Sequence, residues 1–496
     1  MVDVVRAAAK ERDAFMKGRL GTGTLKQGRD VWLWAIPAAI AAAAFGWSIG
    51  PLGFLAIIAP GLVLYLAGLA LTFRFGVLRP VSAEHATRRY LPAAWILLFL
   101  VSNQRYFARD PLALASARSS GYSIDNLIEV TAYALVGLAA ARMWSAGGRR
   151  SYVEWTLAFV PIWAVATAPR SAIVALSVVR AIQLAVPLFL VAATARIVDR
   201  PRRLQQFVGT LATAMPRIAV IFVLWGSLVG NYPDNRFTWP GAHPGLSANL
   251  FSVSLMLMYF VPRVRTSSVR YERPISAGIM CAALYFNHTR SAIVGALVAI
   301  LVGSVVCERS LRPPRTALSL LAAAAAAFLW LVDRDGVMAF AVRGEATRDL
   351  GELDGRVPVW TFALDQLGGW QDWIFGVGYA SIRVLVYPTY KWAGSGHNAW
   401  VELLVDVGIP ALLAMIGTFL LLTQRLLRRD GGPPSELRGL VVACAVFLLA
   451  VSLVSESFAI PGFLFALLVL VSWLSGASTS ARGRVTVTSG STGRPM

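Results

Sequence analysis

Histidine, carboxylate and arginine side chains at the edges of apolar segments are the residues of this chain that could do chemistry. His397 stands in Gly396-His397-Asn398 just before an apolar run, and Glu402 and Asp406 follow at a mutual spacing of four residues, which places both carboxylates on one face of a helix. An imidazole titrates near neutral pH and acts as a general base when a carboxylate or amide orients it. His397 is therefore a candidate catalytic base, with Asn398, Glu402 and Asp406 as supporting candidates; the alternative is a structural residue beside a helix N-cap.

Two further histidines stand in predicted turns. His243 is part of Pro240-Gly241-Ala242-His243-Pro244, where a simple turn residue is the main alternative to a functional one. His288 precedes Arg290 in a tight connection between two apolar runs. Both histidines are supporting candidates for the same site.

Four arginines are candidates for binding an anionic substrate. Arg290 lies in a short connection and Arg356 follows Gly355 in a long one, whereas Arg180 and Arg217 stand well inside apolar runs. A guanidinium binds phosphate through two parallel hydrogen bonds and keeps its charge. Charged residues inside membrane helices mark substrate pathways or internal ion pairs. The pattern favours a lipid-linked phosphate substrate, against the alternatives of headgroup anchors and ion pairs.

Motifs for nucleotide, metal and serine-nucleophile chemistry are missing from the sequence. It has no Walker-type glycine loop, no dinucleotide fingerprint and no Gly-x-Ser-x-Gly elbow. Its cysteines, Cys281, Cys307 and Cys444, have no metal-ligand spacing. We therefore expect no metal site and no cofactor.

The elements that carry these residues are predicted to lie in a membrane. Of 496 residues, 57% are hydrophobic and only 15% are charged, against roughly 25% charged in soluble domains. The net charge of +20 could indicate nucleic acid in a soluble protein, but cytoplasmic loops of membrane proteins also collect arginine and lysine. We expect no nucleic-acid partner.

Apolar runs predict an all-α polytopic membrane protein with about 12–14 transmembrane helices, since a helix needs about 20 apolar residues to cross a bilayer. The candidate spans are 31–49, 52–72, 91–101, 127–141, 152–168, 171–198, 206–230, 247–262, 275–287, 291–306, 316–332, 398–423, 438–455 and 459–475.

Basic residues predict the orientation of these spans in the cell membrane. With both termini in the cytoplasm, roughly 32 basic residues fall inside and roughly 12 outside, which is the positive-inside asymmetry. The predicted organisation is a basic cytoplasmic tail at 1–30, helices 1–11 at 31–332, an extracytoplasmic loop at 333–397, helices 12–14 at 398–475 and a second cytoplasmic tail at 476–496.

The long extracytoplasmic loop differs from the other connections. It is about 65 residues long, and ordered loops of this length are usually functional. Residues Gly355–Leu367 have a helix-like apolar pattern, and Phe375-Gly376-Val377-Gly378 is typical of a turn. The loop's tryptophans and tyrosines could line a sugar site or lie at the membrane interface.

The order of these motifs resembles the O-antigen ligase and O-antigen polymerase family of bacterial membrane glycosyltransferases. Thr289-Arg290-Ser291-Ala292 opens a span; the long loop carries Gly355-Arg356 with Trp360 and then Phe375–Gly378. Gly396-His397-Asn398 runs on into Glu402 and Asp406-Val407-Gly408. The resemblance covers residues 215–425 in layout, and the spans before them more loosely.

The resemblance implies a role in cell-envelope polysaccharide biosynthesis. Such enzymes move a glycan from a polyprenyl-pyrophosphate carrier, such as undecaprenyl pyrophosphate, to a hydroxyl of an acceptor glycan or lipid at the outer face of the bilayer, without a metal. His397 would match the family's essential histidine, and Arg290 and Arg356 its pyrophosphate-binding arginines. No hallmark separates ligase from polymerase, so the acceptor stays open.

Two other classes compete with this interpretation. A transporter or flippase of lipid-linked glycans would use Arg180, Arg217 and Asp406 along a pathway, although no inverted repeat is visible in the sequence. A dolichol-type sugar transferase would resemble its relatives in an acidic pair in the first outer loop, but residues 50–51 contain no acid.

Overall fold

A computed structural model describes twelve stretches of the chain. They are residues 90–103, 124–145, 152–198, 201–229, 236–238, 244–261, 272–306, 355–390, 396–427, 435–455, 462–463 and 465–470. All of them belong to one compact unit, Val81–Met496. The spans predicted at 31–49, 52–72 and 316–332, both tails, residues 333–354 and His243 lie outside the described residues.

The described apolar runs form helices, and no described residue is in a strand. The long helices are α1 (Leu91–Asn103), α2 (Ile124–Ser145), α3 (Tyr152–Thr167), α4 (Val174–Ile197), α5 (Pro201–Val229), α6 (Pro244–Phe260), α7 (Glu272–Asn287), α8 (Arg290–Val306), α12 (Ala399–Leu427) and α13 (Ser435–Ser452). Three short helices precede α12, namely α9 (Arg356–Asp365), α10 (Trp370–Phe375) and α11 (Ile382–Val386). The prediction of an all-α protein is confirmed.

Three described helices are long and apolar enough to cross a membrane. These segments are Arg180–Ile197, Arg203–Leu228 and Ala399–Leu421. Shorter apolar helices occur at Leu91–Ser102, Pro244–Phe260, Arg290–Val306 and Leu437–Ser452. Outward faces such as Ile162 on α3 and Leu228 on α5, which are 61% and 85% exposed, suit contact with lipid. The chain is a membrane protein, and its full topology stays a prediction.

Helices α8 and α13 pack closely because small residues face each other. A Cβ added at Gly303 would lie 2.6 Å from the carbonyl oxygen of Gly439, and one at Gly295 would lie 3.4 Å from the Phe447 ring. Small residues at helix interfaces let two backbones approach in a membrane. The pairs show that α8 and α13 are antiparallel, in a register that sets Arg290 level with Ser452.

One end of the bundle gathers the helix termini that precede and follow the candidate residues. Here α7 ends and α8 begins, and the backbone N–H of Phe237 donates to the carbonyl of Phe286 at 2.9 Å. Helix α12 begins at the same end, where the N–H of Ala399 donates to the carbonyl of Ser455, just past α13, at 3.0 Å. We call this the site end of the bundle.

Helix α12 is kinked at Gly408, which has φ 79° inside the helix. A Cβ at this position would overlap the carbonyl of Ile374 in α10, so only glycine admits the loop so close. The kink interrupts the helical hydrogen bonds, and the indole N–H of Trp163 on α3 donates to the carbonyl of Val407 at 2.9 Å. The kink therefore lets the long loop pack closely against α12, next to α3.

Candidate functional site

His397 occupies a tight turn at the start of α12. Its φ is 49°, in the left-handed region that residues other than glycine rarely adopt and that costs of order 1–3 kcal/mol. The Glu402 carboxylate, only 3% exposed, reaches back one turn and accepts the backbone N–H of Gly396 at 2.6 Å. Glu402 thus holds the turn that presents the half-buried His397 side chain.

Asn398 caps α12. Its side-chain oxygen accepts the backbone N–H groups of Trp400 at 3.0 Å and Val401 at 3.1 Å, which are donors that a helix N-terminus otherwise leaves unpaired. The Trp400 indole N–H donates to the Ser452 hydroxyl at 3.0 Å. The start of α12 is consequently attached to the end of α13.

Arg356 is brought toward His397 by a tryptophan one turn later. Gly355 has φ 74° and turns the chain into α9, whose first residue is Arg356. The indole N–H of Trp360 donates to the carbonyl of Gly396 at 2.7 Å. A hydrogen bond to the residue directly before His397 joins the arginine-bearing helix to the histidine turn.

Arg290 is the first residue of α8, at the site end of the bundle. The packing of α8 on α13 sets it level with Ser452, and Ser452 binds the indole of Trp400, three residues after His397. Arg290 therefore stands at the same end and level as His397, reached from a different part of the sequence.

The turn that precedes Arg290 is rigidly held by polar contacts. The Asn287 amide donates to the carbonyl of Phe237 at 2.7 Å and to the Ser247 hydroxyl at 3.1 Å. The Arg236 guanidinium donates to the Thr289 hydroxyl at 2.8 Å, and Thr289 in turn donates to the side chain of Asn287. His288 completes the turn with φ 55°.

Asp406 binds the backbone of the long loop. Its carboxylate is 3% exposed and accepts the N–H groups of Ala380 at 2.8 Å and Ile382 at 2.9 Å. The N–H of Gly378 donates to the carbonyl of Asp406 at 3.0 Å. The carboxylate therefore anchors α11 to α12, about 10 Å along the helix from its start by the rise per residue.

Arg180 forms an ion pair inside the bundle, near the site end. Its guanidinium lies 3.3 Å from the Glu129 carboxylate on α2 and donates to the Gln183 amide oxygen at 2.8 Å. Tyr379 lies in the long loop, close enough to Arg180 for the two side chains to interact electrostatically. Burial raises the pKa of the Tyr379 phenol, and the nearby Asp406 carboxylate raises that pKa further.

Arg217 lies away from the other candidates. It binds the Glu272 carboxylate through two hydrogen bonds, with Nη2 to Oε2 at 3.0 Å. Glu272 is the first residue of α7 and Asn287 the last. At 1.5 Å per residue, α7 separates the Glu272 partner of Arg217 from the Asn287–Arg290 turn by about 22 Å.

Other polar contacts hold the loop without a signal in the sequence. The Arg170 guanidinium binds Asp372 on α10 and donates to the carbonyl of Gly376 at 2.9 Å. Arg170 and Arg236 stand in short polar connections with no motif of their own, so only their partners, about 200 and 50 residues away, reveal their roles.

The arrangement suits transfer chemistry on an anionic substrate. An imidazole at a helix start lies at the same end of the bundle as arginines from α8 and α9, and the N-terminus of α12 adds the positive end of a helix dipole. Among the residues that the structure describes, no cluster of three histidine, cysteine or carboxylate side chains could hold a metal ion. A base and fixed cations are thus the chemical groups that these residues offer.

Comparison with known proteins agrees with the geometry. Residues 275–416 match the family model described as O-antigen ligase, a range that runs from α7 into α12 and contains Arg290, Arg356 and His397. No curated protein matches the chain. The match to the family model confirms the predicted resemblance over residues 275–416, which form an O-antigen ligase domain, and it supports a glycosyltransferase-like membrane enzyme.

Proposed function

We propose that this enzyme of the O-antigen ligase and polymerase family moves a glycan from a polyprenyl-pyrophosphate carrier to a hydroxyl of an acceptor glycan or lipid at the outer face of the membrane. One observation carries the proposal: Trp360 joins the Arg356 helix to the His397 turn at the end of the bundle where Arg290 begins α8. The three residues come from separate parts of the chain.

The reaction is a single displacement at the anomeric carbon of the donor. His397 accepts the proton of the acceptor hydroxyl while the oxygen of that hydroxyl forms a bond to the anomeric carbon. The bond from that carbon to the pyrophosphate oxygen breaks, and its electron pair leaves with the lipid pyrophosphate. Arg290 and Arg356 stabilise the charge that develops on this leaving group.

The left-handed backbone of the turn that carries His397, which its neighbours hold in place, supports a chemical role for this residue. Asn398 caps the helix and Glu402 accepts the amide of Gly396. The left-handed backbone of His397 carries a cost that a structural position would avoid with glycine. Backbone strain of this kind is concentrated at functional sites.

The mechanism requires no divalent ion, because arginines supply the positive charge. We expect transfer by the purified enzyme to be unchanged by EDTA. The control is the same assay with magnesium added back after chelation. A loss of transfer that magnesium restores would contradict the metal-independent mechanism.

Replacement of His397 by alanine tests the proposal. A general base contributes about 100- to 10,000-fold to a rate, so we expect purified His397→Ala to lose turnover by that factor while it still binds the donor. The measurement is transfer from a polyprenyl-pyrophosphate glycan to an acceptor, together with the donor's dissociation constant. Asn398→Ala is a folding control, since it removes the cap and keeps the imidazole.

A transporter predicts a different result from the same set of variants. Movement of a lipid-linked glycan would depend on charges inside the bundle, such as Arg180 with its partner Glu129. Substitution of Arg180 would then abolish function and His397→Ala would be mild. Near-normal transfer by His397→Ala would contradict the proposed active site.

A further inference from the structure

An apolar groove runs between α5 and α7 toward the site end of the bundle. Its volume is about 530 Å³. The lining residues are Val223, Leu224, Ser227, Phe237, Ile279, Ala282, Ala283 and Phe286. The one side-chain hydroxyl among them, that of Ser227, donates to the carbonyl of Val223 in its own helix at 2.9 Å, so the wall is mostly apolar.

The groove opens on the side of the bundle that suits contact with lipid. Leu224 and Phe286 on its two walls are 54% and 57% exposed. On α7, Ala282 is also exposed, and a Cβ added at Gly278 one turn earlier would meet no atom within 4 Å. Small residues therefore leave a furrow in the surface of α7, with larger side chains on its sides.

At the site end of the bundle, the groove meets the polar turn that carries Arg290. Phe286 lines the groove and is followed directly by the Asn287–Arg290 turn. Phe237, the groove's uppermost residue, accepts a hydrogen bond from Asn287 through its backbone, and its neighbour Arg236 binds Thr289. The apolar groove thus ends at a polar turn beside Arg236 and Arg290.

We propose that this groove holds the part of the donor's polyprenyl chain that is nearest to the pyrophosphate. The inference rests on the proposed function, in which Arg290 binds that pyrophosphate. The first isoprene unit is covalently attached to the phosphate, so the chain must leave the arginines through the apolar surface that begins beside them. From Phe286 to Ile279 this surface extends about 10 Å.

The same continuity favours the donor over other lipids. An acyl chain of an acceptor lipid is separated from the reacting hydroxyl by its own headgroup, so it has no reason to enter beside the leaving group. Phospholipid tails are as apolar as the groove, so the groove gains no hydrophobic free energy from either chain. Its contribution is shape: a groove lined by the small side chains of Ala282 and Ala283 leaves room for a methyl-branched chain and orients the pyrophosphate.

The first test fills the groove and measures binding. We expect Ala282→Phe to weaken the binding of unglycosylated long-chain polyprenyl pyrophosphate about 10-fold, the size of effect that one misfitted apolar group has in a pocket. The matched control is Ala134→Phe, which adds the same ring to an exposed position of α2. An unchanged dissociation constant in Ala282→Phe would show that the polyprenyl chain does not bind in this groove.

The second test compares two glycan donors that differ only in their lipid. We expect Ala282→Phe to lower kcat/KM for the long-chain donor about 10-fold and to leave that for a donor with a single isoprene unit unchanged, because position 282 lies about 8 Å along α7 from its end at Asn287, before the turn to Arg290. Equal losses with both donors would contradict the proposal. Leu224→Ala, which alters the opposite wall, replaces Ala282→Phe if that variant does not fold.

The two tests separate the groove from the proposed function. If the wild-type enzyme binds the polyprenyl pyrophosphate and Ala282→Phe does not, but no glycan is transferred from either donor, the groove stands and the transferase mechanism fails. If transfer proceeds normally from both donors in Ala282→Phe, the mechanism stands and the groove fails.

Discussion

At the scale of the residue, substitution by alanine and by lysine tests whether Arg290 and Arg356 bind the pyrophosphate. An arginine guanidinium and a lysine ammonium bind a pyrophosphate with different geometry. Loss of a hydrogen bond to a charged group costs about 1.5–3 kcal/mol, so we expect either arginine-to-alanine variant to raise the donor KM about 10- to 100-fold. Lysine should restore only part of the loss, because it keeps the charge but lacks the planar fork. Steady-state kinetics with varied donor measure both effects.

Arg217 provides the matched control for these variants. It is also an arginine of an apolar helix, but it pairs with Glu272 at the far end of α7. Arg217→Ala should leave the donor KM unchanged, whatever it does to stability. If Arg217→Ala raises the donor KM as strongly as Arg290→Ala, the pyrophosphate site has been assigned to the wrong residues.

The sequence predicted the types of these residues better than their partners. His397, Arg290 and Arg356 could be selected because an imidazole and two guanidinium groups stand beside apolar runs in a recognisable order. Asp406 could be identified only as a buried carboxylate, since the amides that it accepts are 24 and 26 residues away in the loop. Local spacing carries no information about such contacts.

At the scale of the element, the Trp360 indole connects α9 to the histidine turn. Trp360→Phe keeps an aromatic side chain, although a smaller one, and removes the indole N–H that donates to the carbonyl of Gly396. Loss of that hydrogen bond changes the stability by about 1 kcal/mol. We expect a larger effect on turnover, about 10- to 100-fold, because small displacements of catalytic groups are costly. Transfer rate and thermal stability of the purified variant measure the two quantities.

Trp370 on α10 is the control for that substitution, since its side chain is 68% exposed. Trp370→Phe should leave both transfer and stability unchanged. A Trp360→Phe variant with full turnover would show that the joining of α9 to the His397 turn does not matter for catalysis.

Gly408 offers a second test at this scale. Alanine at position 408 has to adopt φ near 79° and overlaps the carbonyl of Ile374, and the backbone strain alone costs about 1–3 kcal/mol. We expect Gly408→Ala to lower the thermal stability and to release the loop from α12. Gly417→Ala, in the same helix with no atom within 4 Å of the new Cβ, should be neutral or stabilising.

Differential scanning calorimetry of the purified proteins measures the thermal stability, and limited proteolysis measures the release of the loop. A Gly408→Ala protein as stable and as protease-resistant as Gly417→Ala would show that the kink is not required to seat the loop.

Hydropathy predicted where helices lie but not how they bend. The spans predicted at 206–230 and 398–423 are found as Pro201–Val229 and Ala399–Leu427, because long apolar runs have no alternative to helix in lipid. The helix-like pattern after Gly355 is found as α9. The kink at Gly408 was missed, since a glycine inside an apolar run leaves the hydropathy unchanged.

At the scale of the whole molecule, the orientation in the membrane is testable by cysteine labelling. The excess of arginine and lysine in alternate connections predicts that position 370 is outside the cell membrane and position 270 inside. In a background without Cys281, Cys307 and Cys444, Trp370→Cys should react with a membrane-impermeant maleimide in intact cells. Arg270→Cys should react only after the membrane is opened.

Labelling of position 270 in intact cells, with position 370 protected, would invert the orientation and remove the outer-face site. Labelling of both positions would show leaky cells, which a cytoplasmic marker protein detects.

The convergence of the site could be only partly predicted at this scale. The sequence placed Arg290, Arg356 and His397 on the same side of the membrane, because charge asymmetry orders the connections. That they share one end of a bundle depends on the packing of α8 against α13 and on the Trp360 hydrogen bond. Both are contacts between distant segments, which one sequence without relatives does not reveal.

The contacts of Asp406 and Gly408 have a consequence for building hybrid enzymes. The loop segment 374–382 packs on α12 through the Asp406 carboxylate and the close approach at Gly408. Trp163 on α3 binds the kink of α12, and Arg170, just after α3, binds the loop itself. A loop transplanted from a related protein would therefore lack these contacts. An exchange of this loop between two related proteins has to move residues 355–408 together, and the recipient has to carry the matching end of α3.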